Sequence, residues 1–168
     1  MTKRRRILRF SLLVLAALLA AALLLSKFGL EVTRLELRFE DLPEGFDGFR
    51  IVQLSDLHGS RFGGDNARLI EAVAEEGPDI IALTGDFLDE GKAERELPEL
   101  EALVTALAAI APVYYVSGNH DWASGMAYTL FETLEGAGAV CLRNEHLRLE
   151  RGGGSIVLAG VDDPNGPA

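Results

Sequence analysis

One cysteine, Cys141, stands in the 168 residues, so no disulfide can form within the chain and cysteine usage says nothing about redox compartment. Histidine is almost as scarce, at three. Beyond residue 30, basic residues are few as well. Six of the 16 Lys and Arg, and none of the 26 Asp and Glu, fall in residues 1–30, which leaves 10 basic against 26 acidic in the rest. A body that acidic lacks the cations that neutralise phosphates along nucleic acid, so nucleic acid is not an expected partner. The same deficit argues against a body lying flat on anionic lipid. What is plentiful is apolar: 48% of residues are hydrophobic and 25% charged, the balance of a folded globular chain, and the length suits one domain.

The first 30 residues differ from the remainder. Leu12 to Leu25 is an unbroken apolar run, preceded by Lys3, Arg4, Arg5, Arg6 and Arg9. Extended over Phe10–Leu30 it reaches bilayer length with Lys27 as its one charge, and Lys27 can snorkel to the interface. The positive-inside rule keeps the basic cluster cytoplasmic and puts the body outside, at the membrane's periplasmic or extracellular face. The segment therefore reads as a transmembrane signal anchor. A cleavable signal peptide is the competing reading, disfavoured because small residues are lacking near the end of the run. Lys3-Arg4-Arg5-Arg6-Ile7-Leu8-Arg9 also resembles a twin-arginine export signal.

Residues 31–49 form a link to the body. Val32–Phe39 alternates apolar and polar residues, which predicts a half-buried strand. From Arg50 onward strands and helices alternate. Arg50–Leu54, Ile80–Leu83, Val113–Val116 and Val140–Leu142 read as strands. Helices are expected from Asp65 or Asn66 to Glu76, from Leu97 to Ile110 and from Tyr128 to Leu134. Leu147–Leu149 and Ile156–Ala159 read as a final strand pair joined at Gly152-Gly153-Gly154. The alternation predicts an α/β fold on a largely parallel sheet, whose ligands bind at the carboxyl ends of the strands.

Polar clusters fall at three of those ends: Ser55-Asp56-Leu57-His58-Gly59, Gly85-Asp86-Phe87-Leu88-Asp89 and Gly118-Asn119-His120-Asp121. An Asp and a His two apart can converge on one metal where the backbone bends. Mixed oxygen and nitrogen donors suit Mn, Fe or Zn better than Ca. A second Asp from the neighbouring strand can bridge two ions, and an Asn carbonyl can complete the second without adding charge. Any one of Asp56, Asp86 or Asn119 alone reads as a turn former or helix cap; all three with two histidines do not. His146 enters a strand alone and reads as structural, as does Cys141 in its apolar strand. Gly63-Gly64 and Gly152–Gly154 lack the Lys of a phosphate-binding loop.

Asp56-x-His58, Gly85-Asp86-x-x-Asp89 and Gly118-Asn119-His120-Asp121, in that order, resemble the motifs of the calcineurin-like metallophosphoesterases. The anchor, Leu42-Pro43, Phe46–Ile51 and Gly160-Val161-Asp162-Asp163-Pro164 resemble the bacterial membrane-associated or exported branch of that family. The resemblance implies a sandwich of mixed β-sheets flanked by helices, present here in part over residues 50–168. It implies two divalent ions, with Asp56 and His58 on the first, Asp86 bridging and Asn119 on the second. His120 would meet the phosphate and leaving oxygen, with Asp89 or Asp121 orienting its ring. The implied reaction is hydrolysis of a phosphoester, with a phosphodiester preferred, by in-line attack of a water that the ions activate. A non-catalytic tethered remnant and an exported nucleotidase are the rival readings. The family's pattern continues with a further His and a Gly-His-x-His segment that this sequence does not contain, so the expectation is an N-terminal fragment with weak metal binding and little turnover.

Overall fold

The computed structural model describes residues 4, 9–19, 29–164 and 166. The chain divides into two units, Met1–Arg34 and Leu35–Ala168. In the first, residues 9–19 are helical and largely solvent-exposed. Residues 20–28, the second half of the expected apolar span, lie outside the described residues. Among the described residues no helix is long and apolar enough to cross a membrane.

In the second unit, a four-stranded parallel sheet runs in the order β1 (Ile51–Leu54), β2 (Ile80–Thr84), β3 (Val113–Val116), β4 (Ala139–Cys141). Helices α1 (Ala67–Glu76) and α2 (Ala93–Ala108) connect the first three strands; α3 (Asn119–Ala123) and α4 (Ala127–Gly136) connect β3 to β4. Each strand lies beside its predecessor, in register Ile51 to Ile80, Ile81 to Val113 and Val113 to Ala139. Side chains alternate across a strand, so this register sorts them into two faces. Ile81, Leu83, Val113, Tyr115, Ala139 and Cys141 share one face and are buried, while Ile51, Gln53, Tyr114, Val116 and Val140 on the other stay half-buried or exposed. The apolar helix residues Leu69, Val73, Leu100, Leu103, Val104, Leu107, Leu130 and Leu134 are buried with the first set. Ile80, on the second face but only 3% exposed, is the exception to an otherwise one-sided core. An antiparallel hairpin, β5 (Glu145–Arg151) with β6 (Gly154–Gly160), follows as a separate two-stranded sheet.

Sequence and structure agree on the order of strands and helices from Arg50 onward, and they part at four places. Residues 32–39 form neither strand nor helix, and Leu35 is 82% exposed. Alternation supplies a face, but a strand also needs a ladder partner, and no described strand runs beside this one. Helix α2 begins at Ala93, four residues before the expected start. Its first turn carries Glu94 and Glu96, which favour a helix N-terminus, and Pro98 sits within it at the loss of one backbone hydrogen bond. Asn66 does not cap α1 with its side chain; it adopts a left-handed conformation (φ 57°), and its Oδ1 accepts the Phe62 N–H instead. Finally, a short helix that the sequence does not announce, α3, opens at Asn119 inside the third motif.

Candidate metal centre

The ends of β1, β2 and β3 place three short segments side by side. The first two are laced together by backbone bonds: Asp56 N–H to Gly85 C=O, His58 N–H to Asp86 C=O and Gly59 N–H to Phe87 C=O, each 3.1 Å. That lacing holds Asp56 (φ 55°), His58 (φ 46°) and Asp86 (φ 59°) in left-handed conformations that non-glycine residues adopt rarely. Strained backbone at three adjacent polar residues marks a site whose geometry the surroundings enforce. Gly118 is needed for the approach of the second and third segments, because a Cβ there would collide with Asp86 Oδ1.

Asp121 is the fixing point. It is fully buried, and its carboxylate accepts five hydrogen bonds. Oδ2 takes the N–H of Asp86 (2.8 Å), the N–H of Gly118 (2.9 Å) and the Tyr115 hydroxyl (2.7 Å). Oδ1 takes the N–H of Phe87 (3.0 Å) and of Leu88 (3.1 Å). A buried carboxylate is costly unless saturated by donors, and this one is saturated by backbone N–H groups of the second and third segments together with the Tyr115 hydroxyl. Burial and the Asp121 charge hold the Tyr115 phenol far above its ordinary range, so it remains a donor.

His58, Asp86 and His120 converge: one ligand atom from each lies within 4.8 Å of the others. The two imidazoles meet edge to face, with ring centroids 4.6 Å apart. Asp86 Oδ1 accepts the His120 backbone N–H at 2.8 Å, which leaves its other oxygen unclaimed by that bond. His58 Nδ1 meets Asp89 Oδ1 at 3.0 Å. Lys92, whose ammonium donates to Asp89 Oδ2 at 2.6 Å, holds the Asp89 carboxyl below the usual carboxylate range, assisted by His58 and opposed by burial. An ionised carboxylate only accepts, so the His58 Nδ1–H donates to it and Nε2 is the ring nitrogen left without that bond. Asp56 is largely exposed, with Oδ1 4.0 Å from His58 Nε2, and Asn119 is exposed at the start of α3.

The structure thus brings His58, Asp86 and His120 together, with Asp56 beside them. It does not pair His120 with either expected orienting carboxylate. Asp89 sits on His58 instead, because β1 and β2 are adjacent strands and their loops interlace. Asp121 points inward to backbone donors. Sequence reading passed over Tyr115 and Glu96. The first is hidden in an apolar strand; the second, a buried glutamate, shows only as an acidic break in the apolar face of α2. A further brace lies beyond the third motif. Trp122 Nε1 donates to Ser117 Oγ (2.9 Å), and Ser117 donates to Asp162 (3.1 Å). Asp162 in turn faces Arg143, 3.7 Å away, whose guanidinium lies over the Phe131 ring. Cys141 is buried, and burial pushes its thiol up to about 12, so it is inert at neutral pH.

Carboxylate oxygen and imidazole nitrogen gathered at adjacent strand ends of a parallel sheet are what a metal-assisted hydrolase domain requires. The chain belongs to the calcineurin-like phosphoesterases, a family of hydrolases, whose family model matches residues 49–161. It is 37% identical over 118 residues to an uncharacterized metallophosphoesterase of Bacillus subtilis, YkoQ, an alignment covering 67% of this chain and 43% of that protein. It is 33% identical over 141 residues to a transmembrane protein with metallophosphoesterase domain of Danio rerio, covering 79% and 31%. A UDP-2,3-diacylglucosamine pyrophosphatase, LpxG, of Chlamydia muridarum is 33% identical over 97 residues, covering 56% and 29%. The chain spans less than half the length of these relatives.

Proposed function

We propose that residues 50–168 supply the β1–β3 side of a two-metal phosphoesterase site centred on Asp86. The observation that carries this reading is the convergence of His58, Asp86 and His120 at the ends of β1, β2 and β3. The donors fit a divalent transition ion such as Mn, Fe or Zn: one carboxylate oxygen and neutral imidazole nitrogen, with His58 held in the ligating tautomer by Asp89. Bound divalent ions would supply charge to polarise the phosphoryl oxygens and to acidify water. Asp56 and His58 would hold the first ion, Asp86 would serve both, and Asn119 would serve the second. In this reading the ions would take His58 and Asp86 of that cluster and leave its third member facing the anion. That third member is His120, which donates to a phosphoryl or leaving oxygen and so assists its departure.

The substrate in this reading is a doubly substituted phosphorus, a phosphodiester or pyrophosphate, attached to an envelope lipid or polymer. The apolar N-terminal run and the name of the Chlamydia relative, a UDP-2,3-diacylglucosamine pyrophosphatase, both favour it. Residues 1–30 tether the body to the membrane with residues beyond 30 outside, exported with or without twin-arginine recognition. To test the site, the full chain in detergent is titrated with Mn²⁺ and assayed on bis(p-nitrophenyl) phosphate. Mn²⁺ binding that disappears in Asp86→Asn is expected, with slow hydrolysis that falls in His120→Ala while bound metal stays. Binding indifferent to Asp86 refutes the centre; metal lost with His120 makes that residue a ligand.

A further inference from the structure

Glu96 lies on α2, outside every motif above, and is 9% exposed. The buried residues that follow it on the helix, Leu100, Leu103, Val104 and Leu107, are apolar, so a carboxylate at this turn interrupts a face that leucine would fill. Burying a carboxylate is costly unless donors compensate it, so a buried glutamate calls for a task. Its contacts name one. Oε2 accepts the Asp89 backbone N–H at 2.9 Å. The same carboxyl packs on Gly59, where a Cβ would run into it and where φ is +63°. Glu96 therefore touches the residue after His58 and fixes the peptide of Asp89, whose carboxylate holds His58 Nδ1.

We infer that Glu96 is the positioning residue for His58, setting the tautomer and aim of that imidazole through Asp89 and Gly59. The inference rests on the reading of His58 as a metal ligand, but its geometry can be measured without metal. Reach decides the effect, because the bond to Asp89 N–H asks only for an acceptor at the right distance. Glu96→Gln keeps the reach without the charge. Glu96→Asp keeps the charge and withdraws the oxygen by one methylene. Glu96→Met fills the space and offers no comparable acceptor.

The experiment uses the full chain in detergent at pH 8, metal-free and with ¹⁵N-labelled histidine. The His58 ring is assigned with His58→Gln, and its two nitrogens report which one carries the proton. In the wild type and Glu96→Gln, His58 should be held as the Nδ1–H tautomer. In Glu96→Asp and Glu96→Met it should exchange between tautomers, and Mn²⁺ affinity, measured in parallel, should fall about tenfold, the lower end for loss of an outer-shell partner. An unchanged His58 tautomer in Glu96→Asp overturns the inference, as does a Glu96→Gln that behaves like Glu96→Met. If Glu96→Met does not fold, the Asp and Gln pair still decides. A wild type that binds no Mn²⁺ refutes the metal reading alone, since the tautomer comparison judges Glu96 without it.

Discussion

Replacing Asp121 by Asn swaps one carboxylate oxygen for an amide NH₂ in a fully buried place, and each orientation can be counted. With the NH₂ in the position of Oδ2, the Asp86 and Gly118 N–H groups face a donor; the Tyr115 hydroxyl can turn and accept from it. With the NH₂ at Oδ1, the Phe87 and Leu88 N–H groups lose their acceptor. Either way two buried backbone donors are orphaned, at about 1–3 kcal/mol each, so Asp121→Asn should cost about 2–6 kcal/mol. Against a total stability of about 5–15 kcal/mol for a domain, that is a large fraction. Tyr115→Phe removes one neutral donor and leaves two on Oδ2, so about 1 kcal/mol is expected. The assay is urea unfolding of both variants by circular dichroism, compared at constant slope so that midpoints report stability. A loss under 1 kcal/mol for Asp121→Asn, or one no larger than that of Tyr115→Phe, would refute the account of Asp121 as the clamp on Asp86 and Gly118.

Asp86→Asn should lower Mn²⁺ affinity more than Asn119→Ala by isothermal titration, because only Asp86 is assigned to both ions; equal and mild losses sink the bridge. Asp89 has its pKa lowered in the folded chain, chiefly by Lys92, so its contribution to stability is present above the ordinary carboxylate range and fades as pH falls through the lowered value. The stability gap between wild type and Asp89→Asn, followed by urea midpoint, should therefore narrow below about pH 4; a gap that widens with acid contradicts the Lys92 pairing. Cys141, buried with its thiol near 12, should react with a disulfide reagent at pH 8 only on unfolding, and rapid labelling of the native chain would show that β4 opens. Deleting residues 1–30 should move the chain from the membrane to the soluble fraction, and a full-length chain with its N-terminus intact that is already soluble would end the anchor reading.

The parts of the fold that were legible share a physical cause. Buried parallel strands such as Ile80–Thr84 read as short apolar runs closed by glycine, and helices such as Ala127–Gly136 carry their core residues at helical spacing. Both signals are local. What failed needed a partner elsewhere in the chain. Val32–Phe39 has the alternation of a strand, but alternation does not say whether a ladder neighbour exists. The candidate site divides along the same line. That the three polar segments gather was readable, because strand order puts the ends of β1, β2 and β3 side by side. Which atom meets which was not.

Asp89 and Asp121 illustrate that limit, since the family resemblance implies that one or the other orients the His120 ring. Asp121 follows His120 directly, yet α3 begins at Asn119, and the helical turn carries the Asp121 side chain into the interior, where it captures N–H groups. Asp89 lies on the loop after β2, and the backbone bonds that lace this loop to the one after β1 deliver it to His58. The consequence for chemistry is a division of labour that sequence spacing does not encode. His58 has a carboxylate on its ring and hence a fixed tautomer, the condition of a metal ligand. The hydrogen bond from His120 to Asp86 comes from its backbone N–H rather than its ring, which in the proposed reading leaves the ring to donate to a phosphoryl or leaving oxygen.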